Sequence, residues 1–216
     1  MRRLLLRLVA LSFALLAPLA AGAQDEPAPL SHFSIQGGLM QSSLASDDLE
    51  DDFETEFDAG FGFFALASWH TGPFSLGAGV QRTTHGVEFN DEDLAVLSLF
   101  AEPRVHFTLA GSPRLMPYVA ARVGYSKLSS EVLVDDGEDE FTVDVETSGI
   151  MFGGGAGLVF ALTPNAAIDA GAHFNSTGYG DIEASGFGES ETIPDSDGRA
   201  NQLAFRVGVS FRFGAR

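Results

Sequence analysis

Between residues 57 and 69 the chain switches sides at almost every step. Phe57, Ala59, Phe61, Phe63, Ala65, Ala67 and Trp69 share one face, and Asp58, Gly60, Gly62, Ser68 and His70 the other. Only Phe64 and Leu66 interrupt the polar face. A period of two is the signature of an extended strand with two unlike sides, and it excludes the 3.6-residue period of an amphipathic helix. The same alternation returns at 33–41, 74–87, 95–109, 117–129, 150–162, 166–176 and 203–213, which makes eight strands. Beyond the first two dozen residues no stretch keeps helical spacing over the length a helix needs. The chain reads as all-β.

These strands are long for a soluble sheet, where about 5 to 6 residues is usual, and suit the ~9 to 11 residues that carry a tilted strand across a bilayer. Their connections alternate in length. Thr71-Gly72-Pro73, the stretch 110–116 and Thr163-Pro164-Asn165 are short and rich in turn formers. Longer polar connections occupy 42–56, 88–94, 130–149 and 177–202. Short turns at one end and long loops at the other are the pattern of an up-and-down barrel in an outer membrane, with both termini on the short-turn, periplasmic side.

The two faces differ chemically. In the last strand Leu203, Phe205, Val207, Val209, Phe211 and Phe213 oppose Gln202, Ala204, Arg206, Gly208, Ser210 and Arg212. In 95–109, Leu97, Leu99, Ala101, Val105 and Phe107 oppose Ser98, Phe100, Glu102, Arg104 and His106. With lipid outside, Glu102, Arg104, Arg122, Asp169 and Arg206 all face a narrow lumen, where charges of opposite sign have to pair. Gly77, Gly79, Gly153, Gly155, Gly157 and Gly171 share that inward parity and leave volume for long side chains. Phe57, Trp69, Phe74, Phe107, Tyr118, Phe141, Tyr179 and Phe213 lie at strand ends, where aromatic girdles form. Pro103 conflicts with its strand, because it brings no N–H to the ladder, and predicts a bulge or local break.

Residues 1–23 read as a secretory signal peptide: Arg2, Arg3 and Arg7, then an apolar run too short to span, then Ala21-Gly22-Ala23. The barrel domain is expected at 24–216. Cleavage removes basic residues only, so a chain that already carries a formal charge of -18 becomes more acidic. Nucleic acid, which binds clustered Lys and Arg, is an unsuitable partner. The absence of cysteine removes disulfides, thiolate metal sites and thiol nucleophiles together.

Most of the 30 acidic residues fall in the long connections. The runs Asp47-Asp48-Leu49-Glu50-Asp51-Asp52 and Asp135-Asp136-Gly137-Glu138-Asp139-Glu140 attract divalent cations weakly at best, since neither has EF-hand spacing. For catalysis the stretch AHFNSTGYGDIE offers His173, Ser176 and Glu183, but it lacks the histidine-x-serine order of outer-membrane deacylases, with Asn175 where serine is expected. His85, His106 and Asn175 make no better set, no HExxH pair is present, and GGGAG at 153–157 lacks the lysine of a phosphate loop. No catalytic, cofactor-binding or metal residue is assigned.

The strings PYVAARVGYS and VGVSFRF, with the strand and loop order around them, resemble the eight-stranded outer-membrane β-barrel family, porin-like or attachment-invasion-type. In that family the last strand commonly ends at a terminal aromatic read by the barrel insertion machinery; here Gly214, Ala215 and Arg216 follow Phe213. The resemblance implies an eight-stranded antiparallel up-and-down transmembrane barrel in the bacterial outer membrane, amid lipid and lipopolysaccharide. The expected function is non-enzymatic: envelope integrity, or surface interaction and adhesion through a partner bound by the acidic outer loops. The alternatives are a narrow pore for small solutes and a lipocalin-like binding barrel, which requires the large apolar side chains to point inward.

Overall fold

The computed structural model describes residues 31–46, 59–87, 90–112, 114–135, 140–186, 189–193 and 198–213. The expected signal peptide, the acidic run 47–52, residues 136–139 and Phe57 lie outside them. Nine strands follow one another: β1 (His32–Ser46), β2 (Gly60–Thr71), β3 (Phe74–Val87), β4 (Asn90–His106), β5 (Leu115–Asp135), β6 (Glu140–Thr163), β7 (Ala166–Gly186), β8 (Glu189–Ile193) and β9 (Arg199–Phe213). Consecutive strands pair antiparallel from β1 to β7, and β9 pairs with both β7 and β1. The ring therefore closes with eight staves, which leaves no free sheet edge within the wall. The small strand β8 lies outside that ring and pairs with the far end of β7.

The tight connections take the conformations their residues favour. Gly72 adopts φ 57° in the β2–β3 turn, a left-handed value that a side chain disfavours. In the β6–β7 turn Thr163 Oγ1 accepts the backbone N–H of Ala166 at 2.9 Å. At the other end the strands continue where the sequence reading placed loops. β5 and β6 pair rung by rung from Leu115↔Phe160 to Asp135↔Glu140, so most of 130–149 is strand. Likewise 177–202 contains the end of β7, all of β8 and the start of β9. Acidic composition masked the alternation there: Phe141, Val143 and Val145 alternate with Thr142, Asp144 and Glu146. β4 begins earlier than expected, at Asn90, and stops at His106, so Phe107, Thr108 and Leu109 lie beyond it.

With 21, 24 and 21 residues, β5, β6 and β7 are about twice the ~9 to 11 that cross a bilayer. β4 leaves β5 at Leu94↔Ser130, and β9 leaves β7 at Gly178↔Arg199. Past those rungs β5, β6, β7 and β8 form a sheet that projects beyond the barrel on the long-loop side.

Burial decides which face is inside. Leu39 is 74% exposed, and Phe61, Phe63, Leu76, Phe152, Phe205, Val207 and Phe211 also stand on the outer wall. The buried side chains are largely polar, among them Gln36, Gln81, Glu102, Arg104, Arg122, Asp169, Asn175 and Arg206. A lipocalin-like interior is overturned by this arrangement, because the large apolar residues face out. Phe64 and Leu66, which break the polar face of β2, are buried in the lumen with Phe100 and Met151. Two of the expected girdle aromatics are corrected: Tyr118 is fully buried inside, and Tyr179 packs against the inner cluster of Leu44, Leu94 and Ala200. Tyr118 has the parity of Arg122, so its strand already marked it as inward.

Candidate functional site

The most constrained chemistry in the molecule is the polar layer across the middle of the lumen. Neighbouring inward positions on β4 supply Glu102 and Arg104, β5 supplies Tyr118 and Arg122, β7 supplies Asp169 and β9 supplies Arg206. Glu102 is the hub. Its Oε1 accepts Arg104 Nε at 2.5 Å and Arg206 Nη2 at 2.9 Å, while its Oε2 accepts Arg122 Nε at 2.5 Å and Arg206 Nη1 at 3.3 Å. Asp169 is the second anchor, accepting Arg104 Nη1 at 2.8 Å and the Tyr118 hydroxyl at 2.9 Å. The five charged residues expected to share the lumen do meet there.

Each guanidinium also lies on an aromatic face: Arg104 over Tyr118 at 4.6 Å, Arg122 over Phe100 at 4.3 Å and Arg206 over Phe64 at 4.9 Å. Cation–π contacts of this kind stabilise a desolvated arginine where few carboxylates are in reach. The inward glycines make the room. A Cβ on Gly157 or Gly171 would come within 2.6 Å of the Tyr118 hydroxyl, and one on Gly77 within 2.8 Å of the Leu66 side chain.

Toward the long-loop side a neutral layer follows. Gln81 Nε2 donates to Gln202 Oε1 at 3.1 Å, and Gln202 Nε2 donates to Thr83 Oγ1 at 3.2 Å and Ser42 Oγ at 3.3 Å. Arg122 Nη1 links the two layers through Gln81 Oε1 at 3.0 Å. Toward the short turns His32 and His70 stack at 4.3 Å between ring centroids, and His106 lies 5.5 Å from His70. Ser34 Oγ hydrogen-bonds His70 Nε2 at 2.8 Å, and Ser75 Oγ bonds His106 Nε2 at 3.0 Å. Sequence reasoning missed Gln36, Gln81, Tyr118 and the His32–His70 stack as lumen groups, although strand parity carried the signal for each.

The candidates weighed for catalysis are not assembled. His173 is buried beside Glu102, with Nε2 3.8 Å from Oε2, while Ser176 takes the opposite parity on β7 and Glu183 lies exposed on the projecting part of the strand. His85 is bound to Ser42 and Thr83 in the neutral layer, and Asn175 donates to Gln202. Among the described residues no three His, Asp or Glu side chains converge as metal ligands. The arrangement fills the middle of the lumen with ion pairs, amides and aromatic rings.

By sequence no curated protein matches the chain. Solved structures do. Surface protein A of Neisseria superposes with a TM-score of 0.58 at 19% identity, covering 84% of this chain and 97% of that one. A major outer membrane protein of Thermus thermophilus gives 0.57 at 16% identity, covering 85% and 100%. Ail, the attachment invasion locus protein of Yersinia pestis, gives 0.51 at 18% identity, covering 85% and 99%. At such identities the likeness is one of fold, and it agrees with an apolar wall around a charged lumen. The model of the family described as outer membrane protein beta-barrel domain matches residues 9–213. With closed wall, lipid-facing exterior and family match in agreement, this chain belongs to the outer membrane protein beta-barrel domain family and resides in the bacterial outer membrane.

Proposed function

We propose that this barrel is a sealed, non-enzymatic anchor that acts through its projecting sheet and outer loops, in surface interaction or adhesion with a cationic partner. The observation that carries the reading is the register of that sheet. Glu146 pairs with Glu183, which sets acid opposite acid, and Asp144 lies exposed two residues along β6. Like charges directly opposed across strands destabilise a sheet, which argues for a use outside folding. Lys127, on the barrel wall just below the projection, offsets part of this through a 2.7 Å ion pair with Glu146, itself solvent-exposed and of small energetic value.

A cationic surface, a polyamine or a lysine-rich protein segment fits this crown, and divalent cations compete for the same carboxylates. Ail is described in complex with a heparin analogue, sucrose octasulfate. A polyanion of that kind is a poor match for the acidic projection of this chain. Delivery to the membrane through the insertion machinery is part of the same reading.

The test is attachment of cells displaying the full chain to polylysine-coated and heparin-coated surfaces, beside a variant in which Asp144, Glu146 and Glu183 become Asn, Gln and Gln. Attachment to polylysine should fall several-fold in the variant and at high salt, with the heat-shifted barrel band unchanged. Equal attachment by the parent, the variant and cells lacking the protein would refute the reading.

A further inference from the structure

Pro103 leaves a mark on the wall that the sealed lumen does not account for. Pairing of β4 with β5 runs from Leu94↔Ser130 to Ala101↔Val123 and resumes in the same register at Arg104↔Ala120. No bulge forms, contrary to one expectation from the sequence, but the rungs at Glu102 and Pro103 are missing on the β5 side. On the β3 side Leu76↔Pro103 and Gly77↔Glu102 are intact. The bond removed is the one an N–H at position 103 would donate to the Ala121 carbonyl, which leaves that carbonyl without a strand donor.

At this seam the outer wall is concave. A recess of about 480 Å³ opens there, floored by Pro103, Val119 and Ala121 and rimmed by Trp69, Phe74 and Leu76. The rim residues are all more than half exposed to the surroundings of the barrel. Arg104, buried in its ion pair with Glu102, also lines the recess, with the buried Ser75 and Ala120 beside it. It lies beside the Thr71–Phe74 turn, at the short-turn end of the wall, which in outer-membrane barrels is the periplasmic one.

We infer that this recess is a retention site for one acyl chain of a phospholipid in the periplasmic leaflet. Lipid tails are as apolar as the wall, so burial alone does not hold a lipid to a barrel, and retention has to come from van der Waals fit. A convex wall touches a chain along one side. A concave seam of small residues between aromatic rims surrounds it, and each wall atom facing a void there forfeits its dispersion contact. The adjoining wall is already a lipid interface, and this recess is continuous with it. Trp69 at the rim is of the residue type enriched at membrane–water interfaces. The inference stands apart from the role of the outer loops.

The full chain, extracted in mild detergent, would be examined by native mass spectrometry for retained phospholipid, beside Ala121→Phe, which fills the floor, and Ala65→Phe, an outward control away from the seam. A heat-shifted gel band confirms that each variant is folded. One retained phospholipid per barrel is expected, reduced several-fold in Ala121→Phe and unchanged in Ala65→Phe. As a measurement on the unaltered protein, it would be placed in phosphatidylcholine vesicles containing a phosphatidylcholine with a diazirine in its acyl chain, and photolysed. Labelling concentrated on peptides of β4 and β5 around Pro103 and Ala121 supports the site. Uniform labelling of the wall, or lipid retention indifferent to Ala121→Phe, overturns it.

Discussion

Glu102 holds three guanidinium groups, and nothing else in the layer can replace it. Among the described residues Asp169 engages Arg104 and the Tyr118 hydroxyl at hydrogen-bonding distance, with Arg206 Nε 4.0 Å away. Removing one partner of a buried ion pair strands the others in low dielectric, at about 3–5 kcal/mol. Glu102→Gln keeps the shape and removes the charge, so unfolding in urea from detergent micelles should show a loss of that size. A loss below about 1 kcal/mol, the range of exposed pairs, would mean the lumen is solvated enough to screen the arginines. Gly157 tests the packing instead: a valine there meets the Tyr118 hydroxyl and the Ala170 carbonyl, each 2.5 Å from its Cβ. Overpacking should cost about 1–3 kcal/mol by the same measurement. These residues were legible as a set, since parity alone put Glu102, Arg104, Arg122, Asp169 and Arg206 on one face. Which acid took which arginine was not, because that depends on how strands far apart in sequence stagger around the ring.

At the scale of the element, β4 shows how a local rule and the tertiary register share control. Proline removes one hydrogen bond, yet β3 on one side and the continuing ladder on the other hold the strand straight, so the break stays at two rungs. Pro103→Ala restores the donor. A single recovered hydrogen bond is worth about 0.5–1.5 kcal/mol, and amide exchange should show new protection at position 103. No protection there would mean that β4 and β5 are held apart by side-chain packing at the seam and not by the missing N–H. The strand ends were the least legible part of the sequence. In β5, β6 and β7 the alternation continues through acidic residues, and charge density made those stretches look like loops. Pairing with a neighbour of similar length kept them extended.

For the whole molecule, eight staves enclose a lumen that layers of charged, amide and imidazole side chains fill. Barrels of this size leave just enough interior for side chains. The parent protein in planar bilayers should therefore show no steady conductance above background. Persistent open-channel current would instead support the narrow-pore alternative. On the proposed reading, the filled interior serves folding and anchoring and the projecting sheet serves contact with the exterior.

The sequence by itself determined that the chain forms eight wall strands, that one face of each is apolar and that charges of both signs share the other. Period two is a property of a single strand, so no partner is needed to read it. Which face pointed inward, that β5, β6, β7 and β8 continue past the barrel as one sheet and that Pro103 opened a seam without a bulge were settled only by closure. Each of these depends on the register between strands and on the curvature of the ring, quantities that exist only once distant segments have met.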